Sequence, residues 1–197
     1  MRASEFINEH QLDELTGYKQ DPHYQKAVEI FADYRVITRD KLTAFSNYMQ
    51  NQGFNVLGSG ISGLAFEKSG YPWVFKIFND DNGYLFYYNY SRQHQNNPHV
   101  PKVKGAPIKI TPDTFLVRIE KLQEMSQAMY RSDLVDTITS IEWGDDLTPD
   151  KVKKLKKYPQ ILQILNDIIN SGHSLDLNLN NLMARGNTLV ITDPLLG

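Results

Sequence analysis

The chain has 197 residues, 41% of them hydrophobic and 22% charged, which is enough to bury the core of one domain or of two small lobes. Its formal net charge of −2, with no dense run of Lys and Arg, argues against a nucleic-acid or anionic-membrane partner. The absence of cysteine excludes disulfides and cysteine-bound metals. No stretch of the sequence approaches the roughly 20 consecutive apolar residues that a membrane-spanning helix needs, so we expect a cytoplasmic protein.

The order of the predicted elements indicates an α+β protein. In the N-terminal part we predict helices over 24–34 and 39–50, followed by a strand pattern from 54 to 66 that glycines interrupt and a strand over 73–78. A helix over 81–95 and short strands over 100–103, 108–110 and 115–119 follow. In the C-terminal part we predict a helix start at Thr148, an apolar helical stripe over 161–169 and a strand over 188–192. A boundary near Leu122 divides the chain into N-terminal helices (1–50), a β-rich part (51–122) and a helical part (123–197).

A glycine-rich segment separates the first two strand patterns. It matches G-x-G-x-x-G and includes Gly58, Ser59, Gly60 and Gly63. The motif alone fits dinucleotide-binding turns, phosphate-binding flaps and plain tight turns. A dinucleotide-binding turn would open a helix, whereas residues 64–67 alternate as a strand. The sequence therefore predicts a β-hairpin flap, in which glycine permits backbone N–H groups to approach phosphates closely.

Lys76 lies thirteen residues after Gly63, inside an apolar strand that also carries Val74. An inward-facing head group would need an anionic partner in such surroundings. The alternative is a lysine on an edge strand whose head group faces solvent, and the residues around Lys76 leave both interpretations open.

A polar loop lies near the C-terminal end of the chain. Its sequence from Asp176 to Asn181 fits the D-L-x-x-x-N half of the kinase catalytic loop, and Asp193 follows twelve residues after Asn181. In phosphoryl transfer a carboxylate orients the acceptor hydroxyl and takes its proton, while an Asn and a second Asp hold Mg²⁺. Asn and Asp also collect in turns, but the order of glycine flap, strand lysine, loop and strand-terminal Asp favours phosphoryl transfer.

These motifs resemble the protein-kinase superfamily. The segments that carry the resemblance are Leu57–Ala65, Trp73–Lys76, Asn97–Val100, Leu116–Leu122, Asp176–Asn181 and Asp193. It implies a bilobal fold with a β-rich N-lobe and a much reduced helical C-lobe, and ATP and Mg²⁺ as cofactors. The nucleotide-binding residues that it implies are Gly58, Ser59, Gly60, Gly63, Val74, Lys76, Glu120 and Leu122. The catalytic residues that it implies are Asp176, Lys76 and Asn181, with Asn181 and Asp193 as metal ligands.

Within the superfamily, the sequence is most similar to the early serine/threonine kinase domain of short-tailed coliphages, over roughly residues 40 to 197. The shared features are Gly53-Phe54 before the first strand and Ile191-Thr192-Asp193-Pro194 where other kinases have Asp-Phe-Gly. This likeness implies transfer of the γ-phosphoryl group to Ser or Thr of a protein acceptor, in a bacterial or infected-host cytosol.

Four departures from the kinase pattern keep other functions open. The predicted helix over 81–95 contains no Glu that could pair with Lys76, which leaves Asp80, Asp81 or no partner. Ser174 stands at the position of the family's histidine, and Asn178 stands at the position of its catalytic-loop lysine. Gly197 follows Asp193 by only four residues, so we expect no activation segment. The alternatives are a small-molecule phosphotransferase and a nucleotide-binding pseudokinase that acts through partner contacts. The sequence does not indicate an oligomeric state.

Overall fold

The structure is a computed structural model that describes residues 21–31, 38–59, 63–79, 83–141 and 147–195. The helices are α1 Pro22–Phe31, α2 Arg39–Asn51, α3 Gly83–Gln93, α4 Gln127–Tyr130, α5 Asp133–Thr139, α6 Pro149–Leu155 and α7 Pro159–Asn170, with a 3-10 turn at Leu179–Asn181. The strands are β1 Asn55–Ser59, β2 Gly63–Glu67, β3 Trp73–Asn79, β4 Ile108–Lys109, β5 Thr114–Glu120, β6 Leu182–Arg185 and β7 Thr188–Ile191. A sheet and a separate helical part confirm the predicted α+β class. In these ranges no helix combines the length and the apolar character needed to cross a membrane.

The chain divides into two compact units. The first contains Met1–Asp80 and Lys104–Ile119, and the second contains Asp81–Val103 and Glu120–Gly197. The three-part division at residues 50 and 122 stays a prediction.

The first unit is built on a five-stranded sheet in the order β1-β2-β3-β5-β4. The pairs β1–β2, β2–β3 and β4–β5 are antiparallel, and an irregularity between Val56 and Gly58 shifts the β1–β2 register. Gly58 lies opposite Ala65 on β2, and Ala65 lies opposite Lys76 on β3. Strand β3 is therefore the centre of the sheet.

Helices α1 and α2 cover one face of this sheet. The buried strand residues on that face are Leu64, Phe66, Phe75 and Ile77, and the helices contribute Ala27, Phe31, Phe45 and Met49. Each helical pair is spaced four residues apart, so both members lie on the same side of their helix. Full burial of a side chain such as Phe66 stabilises the fold by about 1.5–3 kcal/mol.

The second unit has its core around α7. Ile161, Ile164, Leu165 and Ile168 are fully buried at i, i+3, i+4 and i+7. They belong to one cluster with residues of the C-terminal loop and hairpin, namely Leu175, Leu177, Leu182, Leu189, Ile191 and Leu195. Strands β6 and β7 form that hairpin, and the turn residue Gly186 has a φ of 59°, which glycine adopts at little cost.

Several predicted boundaries agree with the structure. Thr148 caps α6, because its hydroxyl accepts the Lys151 N–H, and Pro149 occupies the first turn. The helical region does not run straight into the apolar stripe. Pro159 has no N–H and would crowd the carbonyl of Leu155, so α6 ends at Leu155 and α7 begins at Pro159.

The predicted strand over 100–103 is wrong. The structure contains only a single bridge residue there, Val103. Pro101 lies in the middle of the predicted segment and cannot donate a ladder hydrogen bond, which prevents a regular strand. The short helices α4 and α5 were not individually predicted, although Ser126 and Ser132 cap them with side-chain hydrogen bonds.

Candidate functional site

The strands on either side of the glycine segment pair antiparallel, with Gly58 near the end of β1 and Gly63 at the start of β2. A Cβ on Gly63 would lie 2.2 Å from the Ile77 carbonyl oxygen and 2.9 Å from the Phe78 Cα, so the approach of β3 requires glycine. A Cβ on Gly58 would meet no atom within 4 Å. Gly60 lies outside the described residues, and only the backbone of Ser59 is described.

Lys76 lies on the sheet face opposite to the helix-covered one. Successive strand residues point to opposite faces, so Val74 and Lys76 share a face, whereas Phe75 and Ile77 pack against the helices. Lys76 is half-buried and Val74 is buried. Because β3 is the central strand, the interpretation of Lys76 as an edge-strand lysine is wrong.

The segment predicted to bind adenine runs between two backbone anchors. The Glu120 N–H donates to the Lys102 carbonyl at 2.8 Å, so this N–H already has a partner. Gln123 then exchanges two backbone hydrogen bonds with Ala184, at 2.8 and 2.9 Å. Leu122 lies between these anchors, and its backbone takes part in none of the hydrogen bonds among the described residues.

The side chain of Glu120 contributes to a polar cluster in the second unit. Both carboxylate oxygens of Glu120 accept hydrogen bonds from the Arg185 guanidinium, which also donates to the carbonyls of Pro98 and Val100. Glu120 also accepts the Lys102 N–H. Arg185 thus connects β6 to Glu120 and to the carbonyls of Pro98 and Val100. The sequence does not predict this pair, because Glu120 lies 65 positions from Arg185.

The polar loop is fixed in place by two buried leucines. Leu175 and Leu177 are 1% and 3% exposed and belong to the α7 core. Asp176 lies between them and is half-buried, while Asn178 is exposed. In an extended segment alternate side chains point in opposite directions, so burial of the two leucines directs the carboxylate of Asp176 away from the core.

Asparagine side chains surround the Asp176 carboxylate. Asn178 Nδ2 donates to both carboxylate oxygens, at 3.0 and 3.1 Å. Asn181 Nδ2 donates to the Asp176 carbonyl at 2.8 Å and lies 3.4 Å from the carboxylate Oδ2. The Asn181 Oδ1 accepts no hydrogen bond among the residues that the structure describes.

Asp193 follows β7 and lies beside this loop. The Thr192 N–H donates to the Asn181 carbonyl at 2.8 Å, and the Asp176 N–H donates to the Pro194 carbonyl at 2.7 Å. The residues on both sides of Asp193 are therefore bonded to the ends of the Asp176–Asn181 loop. The structure thus brings Asp176, Asn181 and Asp193 together within the second unit.

A buried tyrosine holds the end of β7 that precedes Asp193. Tyr87 of α3 is 1% exposed and donates its hydroxyl to the Ile191 carbonyl at 2.8 Å. Burial is the main cause that raises the pKa of the Tyr87 hydroxyl, and the charge of Asp193 adds to the effect. The hydroxyl therefore keeps its proton and remains a hydrogen-bond donor.

The sequence matches no family model and no curated protein. Two solved structures with a kinase-like fold align with the chain. Rad53 1–466 in complex with AMP-PNP aligns over 80% of this chain and 43% of that chain, with 17% identity and a TM-score of 0.39. The streptomycin–ATP–APH(2″)-IIa ternary complex aligns over 75% of this chain and 68% of that chain, with 16% identity and a TM-score of 0.32. The chain spans less than half the length of the first of them, and with both TM-scores below 0.5 neither match decides a function.

Proposed function

We propose that the chain is an ATP- and Mg²⁺-dependent phosphotransferase that transfers the γ-phosphoryl group to Ser or Thr of a protein acceptor. The observation that carries the proposal is that Asn181 is hydrogen-bonded to Asp176, while Thr192 and Pro194, the two neighbours of Asp193, are hydrogen-bonded to Asn181 and Asp176. These are the residue types that phosphoryl transfer requires, namely one carboxylate for the acceptor hydroxyl and an amide with a second carboxylate for the metal.

Asp176 is the candidate for the catalytic carboxylate. It would accept the proton of the acceptor hydroxyl while the new oxygen–phosphorus bond forms and the bond between the γ-phosphorus and ADP breaks. Two features support this role. The carboxylate is half-buried and directed away from the core, and amide donors rather than a cationic side chain hold it among the described residues.

Asn181 and Asp193 are the candidates for the metal ligands. Mg²⁺ prefers oxygen ligands and binds through a few protein oxygens together with phosphate oxygens and water. The Asn181 Nδ2 donates to the Asp176 carbonyl, which turns its Oδ1 away from that bond and leaves this oxygen for a cation. No group of three or more His, Asp or Glu side chains that could hold a metal meets in the described part of the chain.

The nucleotide-binding candidates belong mainly to the first unit. Gly58, Gly63, Val74 and Lys76 share one sheet face, which supports their assignment to the nucleotide. The open space around the missing Cβ of Gly58 suits the approach of a phosphate, whereas Gly63 is already required by the contact with β3. Ser59 and Gly60 complete the proposed flap. The segment from Glu120 to Leu122 would bind adenine through backbone groups other than the Glu120 N–H, which is bonded to the Lys102 carbonyl. Leu122, whose backbone lies between two anchors, is the member of that segment with the clearest support.

Phosphoryl transfer can be tested directly with radiolabelled ATP, Mg²⁺ and a bacterial lysate. We expect labelled protein bands with the wild-type chain that disappear with Asp176→Ala. The matched control is Asp136→Ala, because Asp136 is an exposed aspartate on α5, and this variant should label the same bands.

Three other outcomes would contradict the proposal. Label that appears only in small metabolites would indicate a small-molecule phosphotransferase. Binding of ATP and Mg²⁺ without transfer to any acceptor would indicate a pseudokinase. Equal labelling by the wild-type chain and Asp176→Ala would exclude Asp176 as the catalytic carboxylate.

A further inference from the structure

The side-chain amide of Asn178 lies between the Asp176 carboxylate and the backbone of the following 3-10 turn. Its Nδ2 donates to Asp176 Oδ1 at 3.0 Å and to Oδ2 at 3.1 Å. Its Oδ1 accepts the Asn180 N–H at 2.9 Å. One amide therefore uses its donor on the carboxylate and its acceptor on the turn.

These partners fix the orientation of the amide. A carboxylate only accepts hydrogen bonds, and a backbone N–H only donates them. Rotation of the Asn178 amide by 180° would set its oxygen against the Asp176 carboxylate and its NH₂ against the Asn180 N–H, which is repulsive on both sides. The assignment of Nδ2 and Oδ1 thus follows from the chemistry of the two partners.

The backbone of Asn178 is also held on both sides. Leu177 before it is buried in the core, and the Asn181 N–H closes the turn after it by donating to the Asn178 carbonyl at 3.0 Å. The almost equal distances from Nδ2 to the two Asp176 oxygens mean that a rotation of the carboxylate lengthens at least one bond. Asn181 constrains the carboxylate less, because its Nδ2 lies 3.4 Å from Oδ2.

We propose that Asn178 is a positioning residue that sets the rotation of the Asp176 carboxylate, and this inference rests on the proposed function. Asp176 must present a carboxylate oxygen to the proton of the acceptor hydroxyl. Asn178 holds that oxygen in place through a neutral amide. Since a displacement of about 1 Å in a reacting group can cost on the order of 100-fold in rate, loss of this donor lowers kcat.

The variant Asn178→Ser separates positioning from folding. Serine keeps a side-chain oxygen that can accept the Asn180 N–H, but it is too short to donate to the Asp176 carboxylate. With radiolabelled ATP, Mg²⁺ and dephosphorylated casein as the acceptor, we expect kcat to fall about 10- to 100-fold. The KM for ATP should change by less than about twofold, because the donor to Asp176 acts on the reacting group and not on nucleotide binding. Asn170→Ser makes the same exchange at an exposed position at the end of α7 and should leave kcat unchanged.

A second measurement does not depend on activity. The side-chain amide signal of Asn178 in a ¹⁵N-labelled chain should shift in Asp176→Ala and stay in place in Asp136→Ala. An unshifted signal in Asp176→Ala overturns the contact, and an unchanged kcat in Asn178→Ser overturns the positioning role. A fall in kcat that only follows a fall in the folded fraction of Asn178→Ser also overturns it. If the wild-type chain transfers no phosphoryl group to any acceptor, the proposed function fails, while the amide signal still reports separately on the contact.

Discussion

The contrast between Gly63 and Gly58 gives a sharp test of how the glycine segment works. In Gly63→Ala the new Cβ would lie 2.2 Å from the Ile77 carbonyl oxygen and 2.9 Å from the Phe78 Cα. Both neighbours are backbone atoms of the central strand, so β2 and β3 must separate at Gly63, where their ladder begins. Overpacking of this kind costs about 1–3 kcal/mol, and we expect the upper end because no flexible side chain can give way.

Gly58→Ala provides the matched control for folding. The added Cβ meets no atom within 4 Å, and Gly58 is not among the glycines with positive φ, so the free energy of unfolding should change by less than about 0.5 kcal/mol. Under the proposed function it should instead weaken ATP binding, since the methyl group blocks the close approach of a phosphate.

Urea denaturation measures the first effect, and isothermal titration with ATP and Mg²⁺ measures the second. A Gly63→Ala variant as stable as the wild-type chain would refute the packing argument. A Gly58→Ala variant that lost as much stability as Gly63→Ala would refute the contrast between the two positions.

Three further predictions follow from other contacts. Arg185→Met should lower the free energy of unfolding by about 2 kcal/mol in urea denaturation, because the partly buried Glu120 carboxylate loses its cation. The control Lys26→Met removes an exposed i,i+3 ion pair and should lower it by less than about 0.5 kcal/mol. Equal losses in the two variants would contradict this ranking. Lys76→Met should weaken the binding of ATP and Mg²⁺ at least about tenfold in titration calorimetry. Lys109→Met, at an exposed position, should leave the affinity unchanged. An unchanged affinity in Lys76→Met would exclude Lys76 from the nucleotide site. Burial lowers the pKa of His23, so the unfolded chain binds the proton more readily and the free energy of unfolding should fall as pH drops below about 6.5. His23→Gln should reduce this dependence of the free energy of unfolding on pH. A dependence equal to that of the wild-type chain would exclude His23 as its source.

The strands and helices with strong patterns could be predicted from the sequence. Strand β3 was predicted over 73–78 and covers Trp73–Asn79, because apolar residues on both sides of Lys76 leave few other possibilities. Gly53 follows the C-cap residue of α2, and its φ of 81° explains why glycine stands there. The strand over 100–103 was wrong because the apolar pattern outweighed the missing N–H of Pro101.

The candidate site was predictable in its residue types but not in its contacts. The spacing of Asp176, Asn181 and Asp193 predicts a common site. The spacing does not predict the backbone hydrogen bonds that Thr192 and Pro194 make with the loop. The glycine motif predicts phosphate contacts for all glycines of the segment, whereas the close approach of β3 requires glycine at Gly63. A one-dimensional pattern does not tell these two reasons apart.

Asn178 illustrates the same limit from the opposite side. In the sequence, Asn178 only replaces the lysine of the kinase catalytic loop. Its amide in fact contacts both oxygens of Asp176 and the turn that follows. Whether an Asn caps a turn, binds a carboxylate or does both depends on side-chain rotamers that residue spacing does not determine.

A crystal structure of the chain with Mg²⁺ and a non-hydrolysable ATP analogue tests the central claim most directly. We expect Mg²⁺ on the Asn181 Oδ1 and the Asp193 carboxylate, with the Asp176 carboxylate near the γ-phosphoryl group. A nucleotide bound elsewhere, or a metal that contacts neither Asn181 nor Asp193, would contradict it.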